Sequence, residues 1–176
     1  MRRLFHYHVL TKALLGLIAF LLLIVSPVAA MSIDATQSIP NWAFSPGPNT
    51  NPITLTLTVT TEKAPWSVTV MDEYNGGKDA SYAGRLVEYN SSTETWVNNG
   101  HIVSTNMTVT GQSIEPDIAG TSATLGPEEN TIETGSAAVS GQELAITLQQ
   151  PITYADAYLS NGNIYRADLT FTVYQT

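Results

Sequence analysis

Fifteen carboxylates are the side chains of this 176-residue chain best suited to metal or acid–base chemistry, and one stretch gathers several of them closely. Asp72-Glu73-Tyr74-Asn75-Gly76-Gly77-Lys78-Asp79 sets oxygen donors around two glycines in what reads as a loop between strands. A calcium ion draws about six to eight oxygens from carboxylates, amides and backbone carbonyls. Asp72, Asn75 and Asp79 are therefore the candidate calcium ligands. Two features weigh against them: Lys78 is a competing cation inside the loop, and the spacing of a helix–loop–helix calcium site is absent. A solvated loop is the alternative expectation.

Paired carboxylates could also hydrolyse glycosidic bonds, which requires two of them facing each other across about 5–9.5 Å. With fifteen acids in the chain, chance pairs carry little information. His101 is the one histidine beyond residue 30, and it follows the turn signal Asn98-Asn99-Gly100. No Gly-x-Ser-x-Gly elbow presents a nucleophile, and a metal site with two histidines cannot be built from residues 31–176. There is no cysteine, which excludes thiolate zinc sites, iron–sulfur clusters and cysteine nucleophiles. The expectation is a protein without catalytic residues or a resident cofactor, calcium being the one candidate ion. Asn90-Ser91-Ser92 and Asn106-Met107-Thr108 are N-glycosylation triplets, so Asn90 and Asn106 are candidate modification sites wherever the host glycosylates exported proteins.

These residues must be positioned by a chain that begins with an export signal. Arg2, Arg3 and Lys12 give a positive start, Ala13–Val25 carries no charge, and Ser26-Pro27-Val28-Ala29-Ala30 closes with small residues. Val28 and Ala30 fit the small-residue pattern before a signal-peptidase cut, which places cleavage after Ala30. The apolar run is short of the about 20 residues that cross a bilayer core, so residues 1–30 read as a signal peptide, with a retained N-terminal membrane anchor as the alternative. Either way the remainder lies outside the cell, extracellular or at its surface. A pilin-type leader would carry a glycine at a processing site ahead of the apolar helix, and none is present.

Past residue 30, Lys63, Lys78, Arg85 and Arg166 face all fifteen acids, a net charge near −11 on 146 residues. Nucleic acids and anionic headgroups need a basic footprint, so neither is an expected partner. The acidity itself serves solubility and mutual repulsion. A chain of this length buries about 68–70% of its unfolded surface and folds as one domain without staples.

Residues 31–52 hold Pro40, Pro46, Pro48 and Pro52 among asparagines, a density that bars a central strand. The segment reads as an extended tether or edge from which Trp42 and Phe44 dock on the body. Strand patterns then dominate residues 53–176. Ile53, Leu55, Leu57 and Val59 alternate with four threonines, and Trp66, Val68 and Val70 alternate with Ser67 and Thr69. The stretch Arg85–Tyr89 and Thr95–Val97 flank Asn90-Ser91-Ser92 as a hairpin. Met107–Val109, Leu144–Leu148 and Tyr165–Val173 continue the theme, with Tyr165, Ala167, Leu169, Phe171 and Val173 expected to face inward together. Residues 111–141 are the least patterned, with short strands expected near 123–125 and 136–139. No helical period lasts ten residues; Thr147–Tyr158 comes nearest and Pro151 interrupts it. Short strands every eight to twelve residues between Gly, Pro and Asn predict an all-β, Ig-like antiparallel β-sandwich of Greek-key type.

Pro65-Trp66-Ser67-Val68-Thr69-Val70-Met71-Asp72 and the terminal Tyr165-Arg166-Ala167-Asp168-Leu169-Thr170-Phe171-Thr172-Val173 resemble the WxL-type cell-surface β-sandwich domains. The likeness covers about 25 residues. It implies a non-catalytic surface module. Phe171 stands where that family carries its second tryptophan motif, which is tied to wall attachment, so wall binding does not follow from the likeness.

Three functions are consistent with these features. The first is a non-enzymatic secreted or cell-surface sandwich with a structural, adhesive or envelope role, meeting other envelope proteins or glycans. The second is a filament or matrix subunit that self-associates by strand exchange through residues 31–52. A secreted hydrolase ranks last.

Overall fold

In a computed structural model of the chain, the structure describes residues 31–34, 39, 42–73, 77–113, 121–159 and 162–175. The leader, its cleavage residue Ala30 and Asn75 lie outside the described residues. The chain from Met31 to Thr176 forms a compact unit, and its described elements are strands plus one turn of 3₁₀ helix at Ala80–Tyr82. Among them no helix is long and apolar enough to cross a membrane.

The larger sheet is built on β10 (Val139–Ile152), a 14-residue strand. It pairs antiparallel with β3 (Leu55–Thr61) on one side and β7 (Thr108–Ser113) on the other. Beyond β3 lies β1 (Met31–Asp34), beyond β7 lies β8 (Thr121–Thr124), and β2 (Gly47–Thr50) pairs with the far end of β10. The facing sheet has the order β12 (Leu169–Gln175), β4 (Trp66–Asp72), β9 (Asn130–Gly135). A third, small sheet orders β11 (Ile164–Arg166), β5 (Val87–Asn90), β6 (Thr95–Trp96). All pairings are antiparallel, and the sheets pack as a β-sandwich.

The core follows from the period of two. Leu55, Leu57 and Val59 of β3 meet Trp66, Val68 and Val70 of β4 and Leu144, Ile146 and Leu148 of β10, all buried. Threonines occupy the intervening positions of β3, where branching at Cβ suits the pleat. Trp66 is 3% exposed and its indole Nε1 donates to the Ala137 carbonyl at 2.7 Å. Gly135, its register partner on β9, has no Cβ because one would collide with that ring.

Residues 31–52 join the sandwich at its edges through β1 and β2, which fits their proline content: Pro48 pairs with Pro151, where neither strand needs an amide donor. Trp42 and Phe44 lie half-buried against the core with ring centroids 4.9 Å apart. Four expectations shift. The strand placed near 136–139 is two elements, β9 ending at Gly135 and β10 beginning at Val139. The strand near 123–125 is β8, one or two residues earlier. Ile53, read with the alternating set of β3, stays exposed, because the strand begins only at Leu55. Finally, Phe171 is half-buried rather than fully inward, because β12 is the outer strand of its sheet.

Candidate functional site

The proposed calcium loop turns out to be organised around an ion pair. Asp72 ends β4 on the same side as Trp66, Val68 and Val70, so alternation carries its carboxylate into the interior. A buried carboxylate needs a compensating charge. Lys78 folds back to supply it, with Nζ 2.5 Å from Asp72 Oδ2 and both side chains fully buried. The Gly84 N–H donates to the same oxygen at 2.6 Å, and Lys78 Nζ also donates to the Arg85 carbonyl. Burial pushes the Asp72 carboxyl up, opposed by the Lys78 hydrogen bond and charge and by the Gly84 N–H. Asp79 is used elsewhere: its carboxylate caps the 3₁₀ turn by accepting from Ser81 N–H at 2.8 Å, a bond that lowers its pKa. The structure thus does not gather Asp72 and Asp79 into one oxygen cage, and at Lys78 the loop is buried rather than solvated. Among the described residues no group of three or more His, Asp or Glu converges to hold a metal.

The small sheet carries a stack of rings and cations. Tyr89 and Trp96 are register partners on β5 and β6, which brings their rings edge to face at 5.2 Å. Arg166 on β11 lies over Tyr89, 4.4 Å from its centroid, and pairs with Asp168 at 2.6 Å. Lys78 Nζ is 5.4 Å from the Trp96 centroid. Glu88 alternates to the other side of β5, where Oε2 accepts from His101 N–H and Oε1 from the Asn163 amide. The first of these bonds, then the second, lowers its pKa. His101 contributes its backbone N–H here, and its exposed side chain adds a weaker charge interaction with Glu88.

Among the described residues, the most exposed large apolar side chains are two tyrosines that the sequence did not single out. Tyr154 is 94% and Tyr158 95% exposed on the loop between β10 and β11. That loop is braced. Asp156 Oδ1 accepts from Ser104 N–H at 2.7 Å, Oδ2 accepts from Thr153 N–H at 2.7 Å, and Tyr165 OH donates to the Ala157 carbonyl. Partial burial would raise the Asp156 pKa, but the Thr153 and Ser104 bonds outweigh it and lower the value. This loop was not found from the sequence, and the outward aim of the tyrosines is not written in residue type, since tyrosine also fills cores.

The two glycosylation triplets have different surroundings. Asn90 ends β5 at the hairpin tip and its Oδ1 accepts from Ser92 and Thr93 N–H. Asn106 is a clasp: Nδ2 donates to the Leu125 carbonyl at 2.7 Å and Oδ1 accepts from Arg85 Nε at 3.2 Å.

Fold and surface define an antiparallel β-sandwich in which Asp72, Asp79, Glu88 and Asp156 each bond to groups of the same chain. Comparison with protein-family models, curated proteins and solved structures finds no match.

Proposed function

We propose that this chain is an exported, non-enzymatic sandwich of the cell surface or envelope with a structural or adhesive role, and that the Thr153–Tyr158 loop is its contact surface. The observation that carries this reading is the pair of bare tyrosines on a braced loop. Two aromatic rings on a braced loop offer contact area at small entropic cost, because each has only two side-chain torsions to fix on binding. A surface near −11 disfavours anionic partners, which leaves envelope proteins and neutral glycans. The WxL-type likeness supports the same class: the two stretches that carry it lie in or around β4 and β12, which pair along their whole length. Wall attachment is not part of the proposal.

Fractionation of the cells that make this protein tests it. The wild-type chain should stay with washed envelopes and begin at Met31 by intact mass. Tyr154→Ser/Tyr158→Ser should shift it to the medium without changing its melting temperature. Equal retention of both would remove the loop from the proposal, and recovery of wild type only from the cytoplasm would end the export reading.

One observation favours the strand-exchange reading as a second. β1 is a four-residue edge strand at the start of the compact unit, where it covers the outer edge of β3. A neighbouring copy's β1 could take that place. Size-exclusion chromatography separates the two: a ladder of oligomers for exchange, a monomer for the surface module.

A further inference from the structure

We propose that Asn90, and not Asn106, is the acceptor of an N-linked glycan on the exported protein. Both stand in the required triplet, so the sequence alone treats them alike. The fold separates them. A sugar-transferring enzyme must reach the asparagine amide and the hydroxyl two residues on, along the same stretch of chain. Asn90 is half-buried, but its triplet runs straight into open chain. Residues 91–95 are exposed, and neither Asn90 Nδ2 nor Ser92 Oγ makes a hydrogen bond among the described residues. At Asn106 the amide is engaged and the chain that follows is held in a sheet. Nδ2 is bound to the Leu125 carbonyl, Met107 is 3% exposed, and Thr108 is already the first residue of β7, flanked by β8 and β10. Gly84 packs so closely on the Leu125 carbonyl and the Asn106 amide that even a Cβ there would clash. Modifying Asn106 requires pulling a strand out of the sheet; modifying Asn90 requires touching a hairpin tip.

The local chemistry points the same way. An amide nitrogen becomes nucleophilic as it loses a proton, and the charge then develops on the amide oxygen. The Ser92 and Thr93 N–H groups are aimed at that oxygen, at 2.9 and 3.2 Å. In the transfer, a bond forms from Nδ2 to the anomeric carbon of a lipid-phosphate-linked sugar. The anomeric C–O bond breaks, the enzyme's base takes one Nδ2 proton, and the lipid phosphate leaves.

The test is peptide mass mapping of the whole chain from its own cells, with Asn90→Gln, Ser92→Ala and Asn106→Gln alongside. Ser92→Ala keeps the backbone N–H that orients Asn90 and removes only the hydroxyl. Wild type should carry sugar mass on the Asn90 peptide and none on Asn106. Both Asn90→Gln and Ser92→Ala should lose it, while Asn106→Gln keeps it. Exported chain with bare Asn90, or with sugar on Asn106, overturns the proposal. It rests on export, so the same chain is also directed through the yeast secretory pathway. If the native chain stays cytoplasmic, the export reading fails on its own, and bare Asn90 in secreted yeast material overturns the acceptor assignment independently.

Discussion

Asp72 and Lys78 show how one residue's position in a strand decides the chemistry around it. Removing either partner strands a buried charge, which costs about 3–5 kcal/mol, whereas replacing both with apolar residues of similar volume is often neutral. Lys78→Met alone should therefore lower the urea midpoint sharply, and Asp72→Leu/Lys78→Met should recover most of the loss. Two single-variant losses that simply add would show that the pair is not coupled. Glu133 is the complementary case, a buried carboxylate on β9 at 2% exposure. Burial pushes its pKa up, with the Thr134 and Ser113 N–H groups opposing. An acid with a raised native pKa holds extra protons in the folded state, so stability falls as pH rises from its ordinary 4.5 to the native value. Glu133→Gln should flatten that part of the curve and melt higher than wild type at neutral pH. Parallel melting curves for the two proteins from pH 4 to 8 would contradict this.

Between elements, the strand pattern sorts residues by more than inward or outward. Trp66 and Phe171 are both aromatic and both belong to inward-reading sets, yet β4 is central in its sheet and β12 is outermost. Trp66→Ala should cost about 3–5 kcal/mol, as large core truncations do. Phe171→Ala, half-buried, should cost clearly less. Denaturant unfolding of both variants measures the gap, and equal losses would mean that β12 is covered on its outer side. A bulge between Val68 and Thr69 explains Glu133. Two residues of β9 face one interval of β4 there, so Ile132 and Glu133 are buried in succession, against the alternation.

Across the whole molecule, charge is the dominant feature. Two of the four cations past residue 30 are set against aromatic rings in the small sheet, and Lys78 is fully paired inside, so little positive charge offsets the acidic surface. Self-repulsion should be relieved by any salt through screening. Calcium and sodium at matched ionic strength should raise the melting temperature equally and without saturation. A saturable, calcium-specific rise that Asp79→Asn abolishes would restore the loop as a metal site, since a ligand held only by the folded state stabilises by mass action.

Local chemistry was enough to read the all-β class, the β3 and β4 faces, the hairpin at 90–95, the edge character of residues 31–52 and the docking of Trp42 and Phe44. Alternation and proline placement are properties of a few consecutive residues, and they act before any long-range contact forms. What the sequence could not assign depends on pairings between distant strands. Asp72 looked like a surface ligand because its burial comes from packing against another sheet. Glu133 looked ordinary because its bulge exists only opposite β4. Tyr154 and Tyr158 drew no notice because their exposure is set by a loop pinned to Ser104, some fifty residues away. Asn90 and Asn106 looked alike because a triplet is three residues long, while the Leu125 carbonyl that binds one of them comes from across the fold.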